Sequence, residues 1–187
     1  MPIGRLELVE IFLFLWYHVF TKSRVERIKS ILINVEARMI REMTQADYKE
    51  IFDLWKSTDG MGLRSLDDSQ QGISAFLKRN PTTNFVAIDN DEIVGTILCG
   101  HDGRRGYIYH TVVKDSCRNQ GIATKLIEAA VSSLQREGIT RVCLNVMETN
   151  EYGKSFWLKR GWEKKDFLGF YSKSITDKEN IPLFDIK

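Results

Sequence analysis

The apolar residues of this chain follow two periods in turn, single alternation and helical spacing, and the switches between them mark its elements. Alternation around Met39 to Glu42 predicts a first strand. Thr44 then stands as an N-cap, with Asp47 at the third helical position, before a helix that runs to about Lys56. Ser57 to Leu63 reads as loop. Asp67 or Asp68 opens a second helix to about Arg79, and Asn80-Pro81 stops it, because a residue preceding proline is pushed out of the helical region. Strand patterns follow at Asn84 to Asp89, Glu92 to Cys99 and Tyr107 to Val113, the first two joined by an Asp89-Asn90-Asp91 turn. From Ala123 to Leu134 the period lengthens to that of a helix. A strand at Arg141 to Met147, a helix from Glu151 to Lys159 and a closing strand pair around Trp162 to Ile175 complete an α/β pattern.

Residues 1 to 38 lie outside that pattern. They hold the apolar run Ile11 to Phe20, followed by Val25, Ile28, Leu32 and Val35 at helical spacing. The run is about half of a bilayer span, has Glu7 and Glu10 on its leading side and lacks a small-residue cleavage site, so it reads as neither a transmembrane span nor a signal peptide. Three readings stand side by side. In one, a helix packs on the domain or on a second copy of the chain, giving a homodimer and hiding Phe12, Phe14, Trp16 and Phe20. In another it is an interfacial membrane anchor, against which stands the scarcity of basic residues before Lys22. In the third it is an upstream extension and Met39 is the functional start. The expected division is an extension over 1–38, a domain over 39–176 and a tail over 177–187.

Composition narrows the partners. At 187 residues with 43% apolar content the chain can bury a full core, and a formal charge of +2 demands neither nucleic acid nor an anionic membrane. Cys99, Cys117 and Cys143 are odd in number and widely spaced, with no CxxC pair or histidine ligand beside them, so reduced thiols, no metal and a cytoplasmic location are expected. Cys117 sits near a helix start, where a thiol can become nucleophilic. No His or Asp is placed to serve it as a base.

The segment Arg118-Asn119-Gln120-Gly121-Ile122-Ala123 joins the third of the strands to the long helix. Backbone N–H groups and the helix dipole converge there, which makes an anion site. A phosphate loop ending in Gly-Lys-Ser or Gly-Lys-Thr is absent, and so is a three-glycine dinucleotide fingerprint. Any strand-to-helix turn can carry an Arg and a Gly for structural reasons, so the loop alone does not choose between a packing role and a ligand.

The remaining pattern, Arg-x-x-Gly-x-Ala, resembles the pyrophosphate loop of the GNAT acetyltransferases. The order of elements around it, and the spacing from Asn150 to Gly161-Trp162, resemble the rest of that domain from roughly Met39 to Ile175, about three quarters of the chain. The run from Val94-Gly95-Thr96 through Gly100, Asp102, Gly103 and Arg105 to Gly106 is similar to the YpeA-type bacterial subgroup. The resemblance implies a mixed, mostly antiparallel sheet of about six to seven strands, splayed between the fourth and fifth and flanked by helices. It also implies acetyl-CoA as donor and direct attack by a primary amine, on a peptide, a protein or a small molecule. The rival function is a CoA-binding regulatory or interaction module with little turnover.

The same resemblance distributes roles. Amides of Arg118, Asn119, Gln120, Gly121, Ile122, Ala123 and Thr124 would hold the pyrophosphate, while Val112 and Val113 would pair with the pantetheine arm and an amide near Val113 would face the oxyanion. Asn145 falls where the sheet opens, and Asn150 resembles the residue that contacts the arm. Tyr107, Tyr109 and Thr111 form the cleft-facing set, and strand alternation sends Ile108 and His110 to the opposite face, which demotes His110 as the base and favours a histidine packed under the neighbouring helix. Where many relatives have a proton-donating tyrosine this chain has Trp157, whose indole cannot deliver a proton at neutral pH. Asn145 likewise replaces a frequent catalytic carboxylate. That leaves a water relay past Tyr107 or Tyr109, with Glu148 as either a relay carboxylate or a solvated loop acid, and Tyr152 either near the thiol or in packing or solvent contact. Such a relay suits an α-amine, with a pKa of about 7.7 to 8.0, better than a lysine amine near ~10.4. Ser57 to Leu66 and Lys164 to Tyr171 are the segments expected to shape the acceptor site.

Overall fold

Strand β3 (Glu92–His101) is buried at all eight positions between its ends, as a strand must be when layers cover both its faces. In this computed structural model, which describes residues 38–183 together with Arg24, its neighbours β2 (Phe85–Asp89) and β4 (Gly106–Val113) are both antiparallel to it. Outside them lie β1 (Arg38–Glu42) and the short β5 (Val142–Leu144), which runs parallel to β4, for an order β1-β2-β3-β4-β5. The chain divides into two compact units, Met1–Met39 and Ile40–Lys187, and the description falls almost wholly in the second. The three readings of the N-terminal segment lie outside the described residues.

One face of the sheet is covered by α1 (Tyr48–Lys56) and α2 (Gln70–Arg79). They bury Ile51, Leu54, Trp55, Ile73 and Leu77 against Val86, Leu98 and Val112. The other face receives α3 (Ile122–Arg136), whose Ile122, Leu126, Ala130 and Leu134 lie on Val94, Cys99, Ile108 and Val113. Phe156 and Trp157 of α4 (Glu151–Leu158) pack at the border of this second cluster. Each large side chain so enclosed contributes about 1.5–3 kcal/mol of hydrophobic stabilisation. No helix among the described residues is long and apolar enough to cross a membrane.

The α/β architecture is as expected, with three local differences. First, α2 begins at Gln70 with Ser69 as its cap, the hydroxyl accepting the Gly72 N–H at 3.1 Å. Asp68 is drawn inward instead, where Oδ2 accepts the Arg64 N–H at 2.6 Å. Second, the described residues form five strands rather than six or seven, and no closing pair forms after Trp162. β5 offers a partner edge only three residues long, and Phe167, Tyr171 and Ile175 are left 82%, 93% and 97% exposed. Third, residues 181–183 are docked on the loop ahead of α2. Ser65 N–H donates to the Ile181 carbonyl and Leu183 N–H to the Leu63 carbonyl, both at 2.9 Å, on either side of an Arg64–Pro182 bridge.

Candidate active site

The site is built on β4, and its shape is set by one extra residue. Ile97 of β3 pairs with Thr111 and Cys99 with Ile108, so Leu98 alone opposes both Tyr109 and His110. This β-bulge reverses the alternation of the strand. Tyr109 meets Phe76 of α2 at 5.4 Å and Tyr107 at 5.2 Å between ring centroids, and His110 meets Trp55 of α1 at 4.9 Å. Tyr107, Tyr109 and His110 therefore share the α1–α2 side with Val112, while Ile108 and Val113 belong to the α3 side. Alternation from Val112 sends Thr111 to the α3 side as well. The expected grouping of Tyr107, Tyr109 and Thr111 against Ile108 and His110 is thus corrected by the bulge.

β5 is paired with Gly106, Tyr107 and Ile108 only. Beyond Ile108 the edge of β4 facing β5 is unpaired, which is the splay the sequence leads one to expect. Asn145 stands just past the end of β5 and accepts the Tyr107 hydroxyl at 2.7 Å. Burial pushes both Tyr107 and Tyr109 above the usual phenol range, so both are neutral donors rather than bases. Thr111 Oγ1 is the one buried side-chain polar atom without a partner among the described residues.

At the far end of β4 the chain makes a single 3₁₀ turn, Asp115–Cys117, before the loop. Asn119 and Gly121 both take positive φ, 60° and 80°, and alternating conformations of this kind point successive amides into one concavity. The Lys125 N–H bonds the Gly121 carbonyl at 3.1 Å. The helical amides ahead of it have no carbonyl one turn back to reach. A Cβ on Gly121 would meet nothing within 4 Å, so the space in front of the loop is open. The Arg118 side chain ties this assembly together: Nε donates to the Val113 carbonyl at 3.3 Å, Nη2 pairs with Asp115 at 2.6 Å, and the guanidinium lies 5.6 Å from the Tyr152 ring centroid. Arg160, which the sequence reading passed over, reaches Thr124 Oγ1 through Nη2 at 3.0 Å while lying 3.7 Å over the Phe156 ring. Arg160 lies in the turn just past α4, four residues beyond Phe156.

The remaining candidates are held in other ways. Asn150 caps α4, its side-chain oxygen accepting the Gly153 N–H at 2.7 Å. Trp157 is wedged edge-on between Phe156 and Trp162. Glu148 is exposed and paired with Lys164 at 3.0 Å, with Lys154 beyond, and these lysines hold it below the usual carboxylate range, which weakens it as a base. Cys99 is enclosed and its thiol is pushed up to about 12 by burial, whereas Cys117 and Cys143 are half-buried. Open amides at a helix start, free space at Gly121, an unpaired strand edge and the orphaned Thr111 hydroxyl together fit a phosphorylated ligand with an extended arm.

Comparison with known proteins agrees with this geometry. The family model described as acetyltransferase (GNAT) family matches residues 41–162. Among solved structures, the chain is similar to the PaiA N-acetyltransferase of Thermoplasma acidophilum in complex with coenzyme A, at 17% identity over 69% of this chain and 91% of that one, with a TM-score of 0.61. It is similar to the ribosomal-protein-alanine N-acetyltransferase of Brucella melitensis biovar Abortus 2308, at 19% identity over 74% and 99% of the two chains, with a TM-score of 0.56. An aminoglycoside acetyltransferase from an uncultured soil metagenomic sample, solved with sisomicin, matches at 19% identity over 74% and 98%, with a TM-score of 0.56. At these identities the likeness is one of fold.

Proposed function

Since the chain belongs to the acetyltransferase (GNAT) family, whose model covers more than half of its length, we propose that it acetylates a primary amine on a peptide, a protein or a small molecule. Membership makes it an acetyl-CoA-dependent N-acetyltransferase; the choice of acceptor is the proposal. The observation that carries it is the open edge of β4 beyond Ile108, lying between a phosphate-ready loop and an aromatic wall. The run from Val94 to Gly106 keeps its resemblance to the YpeA-type subgroup as part of the same reading. Two of its glycines have a packing reason too, because a Cβ at Gly100 would lie 2.8 Å from Asn80 and one at Gly106 2.7 Å from Leu134.

In this reading the amides from Arg118 to Thr124 hold the pyrophosphate, and the backbone of Val112 and Val113 continues the sheet onto the pantetheine arm. Thr111 Oγ1, Asn145 and the Asn150 amide nitrogen offer further polar contacts along it. When bound, acetyl-CoA supplies the activated acyl group. An amide near Val113 faces the developing oxyanion. Tyr107 and Tyr109 line the acceptor's approach and desolvate its ammonium by presenting their ring faces. Trp157 shapes the wall without handling protons, and Glu148, paired with its lysines, sets local charge.

The test is thiol release from acetyl-CoA across an amine panel that includes α-amino peptides, lysine peptides, polyamines and aminoglycosides. Acceptor-dependent release with one class well ahead of the others is the expected outcome. Tight CoA binding with no release for any acceptor would point instead to a binding module, the reading that Trp157 and Asn145 otherwise favour.

A further inference from the structure

His110 is the histidine that alternation sets aside and the fold brings forward. It lies in the bulge, within the stretch of β4 that β5 leaves uncovered, next to Tyr109, which is half exposed. Its Nε2 is 2.7 Å from Asp68 Oδ1, and Asp68 is 5% exposed, with its other oxygen accepting the Arg64 N–H. A carboxylate only accepts, so Nε2 carries the hydrogen and Nδ1 keeps its lone pair. Nδ1 has no partner among the described residues, and the His110 side chain is 16% exposed, so the ring is not sealed from solvent.

The ring is also fixed in orientation. Trp55 packs against it, and the indole N–H is itself anchored on Thr96 Oγ1 of β3 at 2.9 Å. The charged and titratable groups described around the imidazole are the Asp68 carboxylate, Tyr109 beside it on β4, and Tyr48 of α1, whose hydroxyl donates to the Asp68 carbonyl at 3.0 Å. Burial, then the Asp68 charge, raise Tyr48 above the usual phenol range, so it stays neutral. An unpartnered imidazole nitrogen on a ring not sealed from solvent, with the other nitrogen held by an enclosed carboxylate, is the arrangement that makes a general base.

We propose that His110, oriented by Asp68, is the general base that takes the acceptor's proton, and that the acceptor reaches β4 from the α1–α2 side. This rests on the transferase reading above. The nitrogen of an incoming ammonium sheds two protons in becoming an amide. His110 Nδ1 takes the first, directly or through one water, and returns it to solvent. The nitrogen's lone pair forms the bond to the acetyl carbon, the carbon–sulfur bond breaks with its electrons going to sulfur, and the second proton ends on that sulfur. Asp68 stabilises the imidazolium between these events and acts as a positioning residue.

His110→Gln and Asp68→Asn test the assignment, with CoA binding by equilibrium dialysis as the folding control. For His110→Gln, kcat with the preferred amine is expected to fall about 10²–10⁴-fold while the KM for acetyl-CoA stays within about twofold, and the acidic limb of the kcat/KM profile disappears. For Asp68→Asn a smaller fall in kcat is expected, with the KM for acetyl-CoA again within about twofold, because the ring keeps its nitrogen but loses the carboxylate that orients it. A His110→Gln enzyme that keeps wild-type kcat and its acidic limb overturns the proposal and leaves the transferase reading intact. If His110→Gln loses CoA binding, Asp68→Asn decides, since a wild-type kcat overturns the proposal and a fall in kcat with the KM for acetyl-CoA unchanged supports it. Wild-type protein that binds CoA but never releases thiol with any amine overturns both.

Discussion

Gly121 matters for the space that it leaves. Its φ of 80° is in the region that favours glycine, and nothing occupies the volume its side chain would fill. At that φ any side chain strains the turn, so Gly121→Asp adds the strain that Gly121→Ala adds and, besides it, a negative charge at the proposed pyrophosphate site. CoA affinity is expected to drop at least tenfold, about 1.4 kcal/mol, by isothermal titration, and Gly121→Ala should lose much less because it adds strain without charge. Unchanged affinity in Gly121→Asp would remove this loop from the cofactor site. Asp47 makes the complementary point about stability. Arg41 grips its carboxylate with hydrogen bonds of 2.7 and 2.8 Å, and the Thr44 N–H adds a third at 2.7 Å. Burial pulls the Asp47 pKa upward, but these hydrogen bonds outweigh it and hold the group below its ordinary value of 3.8. A depressed carboxylate stabilises the fold above the unfolded pKa and loses that contribution as pH falls through the folded one. Asp47→Asn should cost about 2 kcal/mol at pH 7, and urea unfolding series should show the gap to wild type closing only below the ordinary carboxylate value.

At the level of elements, most of the fold is written in the sequence because burial imposes a period. β3 reads as a continuous apolar run and α3 as a helical stripe, and their ends fall close to the expected positions. The bulge in β4 is not written there. Tyr109 and His110 are both aromatic and partly polar, so no apolar residue marks the slip, which exists only in the pairing with Leu98. Asp68 hid for a similar reason: an aspartate ahead of a helix reads as a cap, and only the Ser69 hydroxyl's possession of that role frees it for His110. The apolar residues after Trp162 mislead in the other direction, since a strand needs an edge to join and β5 provides three residues of one. Where the sheet's geometry depends on side chains it can be tested directly. Asn84 is wholly enclosed, accepting the Cys99 N–H at 2.8 Å and donating to the Asn80 carbonyl at 2.6 Å, which links β3 to the end of α2. Asn84→Ala leaves two buried groups unsatisfied and should cost about 2–4 kcal/mol. The expected readout is a lower denaturation midpoint with an unchanged urea slope, and a loss under about 0.5 kcal/mol would show that the link carries no strain-free load.

Across the whole described molecule, the docked segment 179–183 and the proposed acceptor side of the site meet in one loop. Residues 179–183 bond to Leu63, Ser65 and Leu66, Arg64 donates to the Asn180 carbonyl at 2.8 Å, and Asn180 donates to Asp67 at 2.8 Å. The Arg64 N–H in turn holds Asp68, and Asp68 holds His110. The loop from Arg118 to Thr124 has no bond to this segment among those described. A chain ending at Asp177 should therefore keep its CoA affinity within about twofold and lose about 1–2 kcal/mol of stability, as expected for a few exposed or half-exposed hydrogen bonds. Its kcat should fall, because freeing Arg64 loosens the carboxylate that orients the imidazole. Coupling gives the decisive measurement: truncation in the His110→Gln background should cost far less kcat than truncation of the wild type, since two changes acting through one group do not add. Equal losses in both backgrounds would mean that the segment influences turnover by a route that bypasses His110.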